Sequence, residues 1–98
     1  MNKKRLEGET LKKYEKRVVV IKAMAHPTRL FILELLNNNP LCVCDINELI
    51  DADISTISKH LSLLKSAGLV SSKKSGLQVI YTLEKPCVLK PFSCLGGN

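Results

Sequence analysis

A mostly α-helical domain ending in a small β-hairpin is predicted for this chain, and three observations predict it. Apolar residues recur at spacings of three and four along segments that precede Gly68. Two short runs, LVSSKK and LQVIYTL, then flank Ser75-Gly76, a polar connection suited to a tight turn. The length of 98 residues allows about one domain with a modest core.

Taken in order, residues 1–10 are charged and read as a flexible basic N-terminus. Leu11, Tyr14, Val18, Ile21 and Ala25 then form one helical stripe, and Val19 and Val20 widen it. A helix apolar on more than one side wants more than one neighbour, for instance its own core and a second subunit. His26-Pro27 interrupts it, because the residue before proline disfavours helical geometry. Pro27 suits the first position of a second helix, where its missing N–H costs nothing. That helix carries Leu30, Phe31, Ile32, Leu33, Leu35 and Leu36, reads as mostly buried, and ends at Asn37-Asn38-Asn39-Pro40.

A short helix over roughly 43–50 carries Ile46, Leu49 and Ile50, and Asp51-Ala52-Asp53 is a brief turn. Ser55 or Asp53 caps the next helix, which extends to Ala67 and closes at Gly68. Ile57, Leu61 and Leu64 make its inner stripe, while Ser55, Thr56, Lys59, Ser62 and Ser66 point the other way. Leu63 also falls on that outer side, which the helical wheel does not explain; packing under a neighbouring loop and contact with a partner are both open. In the hairpin, Leu77, Val79, Tyr81 and Leu83 alternate on one face. The folded unit is expected over 11–85, with 86–98 a tail. Pro86, Pro91, Gly96 and Gly97 limit any helix there to one or two turns.

The formal charge is +6, and it is sorted along the chain. Residues 54–83 hold Lys59, Lys65, Lys73 and Lys74 and no acid, whereas 45–53 hold four acids and no base. This suggests one surface built for phosphate. The opening MNKKRLEGE lacks the apolar core of a signal peptide, and VVVI is too short to span a bilayer. A cytoplasmic location follows, where thiols stay reduced, so the four cysteines read as metal ligands or buried groups. Enzymatic chemistry has no support, for there is no phosphate-cradling glycine motif, no paired carboxylates in an apolar setting, and no nucleophile–histidine arrangement with a third member.

Short helix, three-residue turn, polar-faced helix and basic-tipped hairpin is the order of a winged helix-turn-helix. The polar helix fits a major groove, where its hydroxyls and amine can meet base edges and phosphates. Lys73 and Lys74 can reach backbone phosphate beside it.

AMAHPTRLFILELL, LCVCDI, STISKHLSLLKSAGLVSSKKSG and VIYTL together resemble the ArsR/SmtB family of metal-sensing repressors, over residues 20–83. The resemblance implies a homodimeric winged-helix repressor whose first and last helices form the dimer contact. It further implies double-stranded operator DNA, palindromic to match the dimer, and release when an inducer binds. Ser55, Thr56, Ser58, Lys59, His60 and Ser62 sit where the family's recognition helix meets DNA, and Lys73, Lys74 and Gly76 fall in the wing. Arg29 matches the family's HPTR segment, with phosphate contact and packing equally open. His60 is likewise open between groove contact and a satisfied buried imidazole, and His26 reads as structural.

Cys42 and Cys44 stand where arsenite-responsive members carry a CVC box. Arsenic(III) and antimony(III) prefer three sulfurs, and thiolates also suit cadmium and lead. In a regular helix residues two apart point about 200° apart, so to converge on one ion the first turn must unwind or distort. Such competition would convert ion binding into lost DNA-reading geometry. The family's usual third cysteine is replaced here by Asn47. Cys94 or Cys87 of the tail could supply the third sulfur, with Cys94 the better placed beside its glycines. The tail carries no histidine and no acid after Glu84, which argues against a zinc site built on a last helix. DNA binding itself requires no cofactor.

Three alternatives stay open. The same scaffold could sense cadmium or lead. It could sense thiol oxidation or persulfide, with a box thiol pairing to Cys87 or Cys94, because a disulfide between residues two apart is strained. From another class, it could be a small cysteine metal-binding protein with no DNA role.

Overall fold

A computed structural model describes residues 5–96. The first helix, α1 (Gly8–Met24), starts three residues ahead of the expected Leu11, so residues 8–10 are helical rather than part of a flexible arm. Residues 1–4 and Gly97 lie outside the described residues. α2 (Pro27–Asn38) begins with Pro27 in its first turn, and His26 caps it by accepting the Thr28 N–H on Nδ1 at 3.0 Å. Ile32, Leu33 and Leu36 of α2 are buried, although Phe31 stays exposed.

A strand absent from the sequence reading follows: β1 (Leu41–Cys42), two residues long. Two residues show no periodicity, so only pairing reveals it. β2 (Val70–Ser75) and β3 (Gln78–Leu83) form the hairpin, and the sheet order is β1-β3-β2, antiparallel throughout. Leu41 faces Tyr81 and Cys42 faces Ile80 in register. Gly76 and Leu77 make the turn, with Gly76 at φ +63°. Glycine first is the demand of a type II′ hairpin turn. Leu77 therefore sits at the hairpin tip, fully exposed, and does not join Tyr81 and Leu83 against the core.

Between β1 and the hairpin lie α3 (Val43–Leu49) and α4 (Ile54–Ser66). Asp53, not Ser55, caps α4, accepting the Thr56 N–H at 2.8 Å and the Ser55 hydroxyl at 2.9 Å on Oδ1. α4 closes on Gly68 at φ +77°, with Gly68 N–H on Lys65 O and Leu69 N–H on Leu64 O. That is the Schellman pattern, and its apolar contact partners Leu64 and Leu69 are both buried. The chain then leaves α4 already aimed into β2.

Ile57, Leu61 and Leu64 of α4 meet Ile32, Leu33, Leu36, Ile46, Leu69 and Val70 in one aliphatic core that contains no buried polar residue among those described. The tail is a ten-residue 3-10 run (Pro86–Leu95), longer than the one or two turns expected. Val88, Leu89 and Phe92 hold it against the core. The apolar side chains, rather than helix propensity, account for its length, since 3-10 geometry alone rarely persists.

Candidate functional site: the DNA-reading face and the thiol pair

On α4, Ser55, Thr56, Ser58, Lys59 and Ser62 are all exposed. The Ser55 hydroxyl is already committed to Asp53, and the hydrogen bonds from Thr56 foremost, then Ser55, hold the Asp53 carboxyl below its ordinary range. Leu63, 51 % exposed, lines a shallow depression with Ser58, Lys59, Ser62 and Ser66, so it packs under no loop. Lys73 and Lys74 are exposed on β2, opposite Ile80 and Val79. Lys65 Nζ donates to Ser72 Oγ at 2.7 Å, tying the end of α4 to the hairpin.

His60 and Arg29 are turned inward. Arg29 Nε donates to the Ala23 carbonyl at 2.6 Å, and its Nη1 lies 3.3 Å from His60 Nδ1. The rings of His26 and His60 sit 4.5 Å apart. Arg29 therefore braces the end of α1 to α4, which supports its packing role over phosphate contact. Partial burial first, then His26 and Arg29, pushes the His60 pKa down.

Cys42 and Cys44 are brought together, but not as the helical wheel requires. Cys42 is the extended N-cap residue of α3, at φ −78° and ψ 161°, and belongs to β1, whereas Cys44 lies in the first helical turn. The 200° separation holds only when both residues are helical. Here their Cα atoms are 5.3 Å apart and their sulfurs are joined as a disulfide while α3 remains regular. Two expectations are thereby corrected: the sulfurs meet without unwinding the helix, and the pairing is within the box rather than with the tail. Cys42 is 4 % exposed and its Sγ accepts the Asp45 N–H at 3.2 Å; Cys44 is exposed, with Gln78 Nε2 3.8 Å from its sulfur.

Among the described residues, Cys42, Cys44 and Asp45 form the one group of three His, Cys, Asp or Glu donors within 4.8 Å of one another. The two cysteines, with Val43, border a depression of about 200 Å³ shared with Leu77, Gln78 and Val79 of the hairpin tip. Asp45 and Gln78 were missed by sequence reasoning. Asp45 had a signal, directly following the box, but Gln78 is placed only by the β3 register. Asn47, at the position of the missing third cysteine, has a buried Oδ1 with no hydrogen-bond partner among the described residues. Cys87 and Cys94 are exposed on the 3-10 run, Cys94 donating to the Pro91 carbonyl at 2.9 Å. Neither joins the three-donor group.

A separate apolar cleft of about 480 Å³ lies between α1, α2 and the 3-10 run, lined by Val20, Ile21, Met24, Leu30, Val88 and Phe92 among others. α1 also leaves Tyr14, Val18, Val19 and Ile21 exposed beside it.

The family model for bacterial regulatory proteins of the arsR family matches residues 26–72, from the α2 cap into β2. A helix-turn-helix-type transcriptional regulator of Methanocaldococcus jannaschii, MJ1325, is 44 % identical over 72 residues, covering 72 % of this chain and 81 % of that protein. The chain belongs to the arsR family. This arsR-family chain is thus a helix-turn-helix DNA-binding regulator, not an enzyme.

Several relatives carry effector names. The cadmium resistance regulatory protein CadC of Listeria innocua is 41 % identical over 69 residues, which cover 69 % of this chain but only 58 % of CadC. The arsenical resistance operon repressor of Staphylococcus xylosus is 34 % identical over 70 residues, 71 % of this chain and 67 % of the repressor. Among solved structures, reduced HlyU of Vibrio cholerae matches with a TM-score of 0.82 at 33 % identity, over 92 % of this chain and 98 % of HlyU. The homodimeric winged helix-turn-helix DNA-binding domain Mb0332 of Mycobacterium bovis matches with a TM-score of 0.79 at 28 % identity, over 91 % and 82 %. These matches accord with the predicted winged helix. No helix among the described residues is long and apolar enough to cross a membrane.

Proposed function

We propose that this regulator is a homodimeric repressor that holds a palindromic operator through α4 and the hairpin wing, and lets go when arsenite or antimonite binds Cys42 and Cys44. The single observation that carries the reading is where the two sulfurs sit. They lie at the seam of three parts: the cap of α3, the β1–β3 pairing and the tip of the wing. An ion that draws on Cys42 Sγ competes with the Asp45 N–H for the same sulfur, and Cys42 is paired in register with Ile80 of the wing strand. Losing a side-chain cap costs about 0.5–2 kcal/mol. Each 1.4 kcal/mol or so of that loss that reached the reading face would change operator affinity about tenfold.

The test is an operator-shift titration. Wild-type protein is expected to release its duplex as arsenite is added, and the Cys42→Ser/Cys44→Ser variant to stay bound. A double-serine variant that still releases ends the proposal.

A second reading, cadmium or lead as inducer, is favoured by Asp45. Its carboxylate completes a donor set of two sulfurs and one oxygen, which suits a divalent cation better than the three-sulfur preference of arsenic(III). Asp45→Asn is then expected to weaken the cadmium response at least about tenfold while leaving the arsenite response unchanged. Equal loss of both responses would count against an ion-specific role for Asp45.

A further inference from the structure

We infer that oxidation of Cys42 and Cys44 to their mutual disulfide locks the regulator in its DNA-reading form and closes the site to its inducer. The inference rests on the reading that the inducer binds these two sulfurs. With the sulfurs joined, every element of the proposed reading apparatus is formed. α3 is regular from Val43 to Leu49, Cys42 Sγ still caps the Asp45 N–H, and Cys42 remains paired with Ile80. α4 keeps its Asp53 cap and the hairpin its full register. A thiophilic ion makes a demand that the disulfide does not, since it needs a lone pair from each thiolate and a third donor. Once the sulfurs are bonded to each other, that ligand set is gone.

The accessibility of the pair sets the order of events with a hydroperoxide as oxidant. Cys44 is exposed and Cys42 is almost wholly covered. The Cys44 sulfur attacks the peroxide, the O–O bond breaks, and a sulfenic acid and one water form. The Cys42 sulfur then attacks the Cys44 sulfur, the S–S bond forms, the S–O bond breaks, and a second water leaves. Two thiols and one hydrogen peroxide give one disulfide and two waters, the two electrons passing to the peroxide. Reduction restores the dithiol. Cys87 and Cys94 take no part, standing apart on the 3-10 run.

Oxidant and inducer are then antagonists. This is the opposite sign from a redox sensor that leaves its operator when oxidised.

The full chain carrying Cys87→Ser and Cys94→Ser confines the chemistry to the box, and wild-type protein analysed by peptide mapping guards against any effect of those changes on folding. Each is compared reduced and after hydrogen peroxide, by intact mass, alkylatable thiols and fluorescence anisotropy on operator duplex. The oxidised form is expected to be lighter by two hydrogens, with both box thiols blocked. Its operator affinity should lie within about twofold of the reduced form, and arsenite should not release it until a phosphine has reduced it. Oxidised protein that loses about tenfold or more in operator affinity, gains oxygen instead of forming the bond, or still responds to arsenite overturns the lock. Reduced protein that ignores arsenite instead overturns the inducer reading, and with it the blocking half of the lock. The retention half is judged on the operator affinity of the oxidised form alone.

Discussion

His60 stands between Arg29 and His26, where burial chiefly, and then those two neighbours, holds its pKa below the ordinary imidazole value of 6.5. Because Arg29 donates to Nδ1, the neutral ring carries its proton on Nε2. A second proton would turn the Nδ1 acceptor into a donor facing another donor. The unfolded chain takes up that proton near pH 6.5, and the folded chain only at lower pH. The stability this neutral histidine contributes is therefore full above that value and is lost as the pH falls through 6.5 towards the folded pKa. Urea midpoints measured from about pH 8 to about pH 5 are expected to fall more steeply for wild type than for His60→Gln. Equal slopes would show that the ring does not report on the fold. At the same scale, Cys42 shows how one backbone setting redefines a motif: an extended cap residue brings to its neighbour a sulfur that a helical residue would have turned away.

Among the elements, α4 and the hairpin work as a pair because Lys65 bridges to Ser72 and the Schellman turn at Gly68 fixes the exit into β2. The helix presents hydroxyls and Lys59, and the hairpin presents Lys73 and Lys74 near its tip. Arginine and lysine contacts to phosphate release counterions, so each contributes roughly −0.9 to the slope of log affinity against log salt. Lys73→Ala/Lys74→Ala is expected to reduce the slope by up to about 1.8 per subunit, or about 3.6 for the proposed dimer, and to weaken specific and non-specific duplexes alike. Anisotropy titrations over a range of salt read this directly, and an unchanged slope would remove both lysines from the interface. β1 gives the hairpin a third strand and so ties the wing to the residue that caps α3. A two-stranded wing would have no such link to the thiol pair.

At the scale of the whole molecule, α1 carries its apolar residues round to an uncovered side. Tyr14, Val18, Val19 and Ile21 are exposed next to the cleft closed by Val88 and Phe92 of the tail. Both chain ends thus contribute to one apolar face, the arrangement a two-fold partner would bury. Ile21, 62 % exposed, can be changed without opening the core. Ile21→Asp is expected to shift the protein to monomer by light scattering, to leave the circular dichroism spectrum unchanged, and to weaken operator binding at least about tenfold. A variant that stays dimeric places the symmetric contact elsewhere. In the proposed dimer a partner would double the reading face, so the loss should be largest on a duplex with two half-sites.

Most of the helical frame, and the exposed polar side of α4 with the lysines of the hairpin, was legible in the sequence. The stripe of Ile57, Leu61 and Leu64, the Asp53 and Gly68 boundaries and the lysines of the wing are local signals, read over a turn or two of chain. What could not be read depends on partners far along the chain: β1 exists only because Leu41 meets Tyr81, and Arg29 became a brace only once α4 brought His60 to it. The thiol pair lies on both sides of that division. Its residue types and spacing were written in LCVCDI. Whether its sulfurs meet was decided by tertiary structure, because pairing with β3 holds Cys42 extended and outside the helix that contains Cys44.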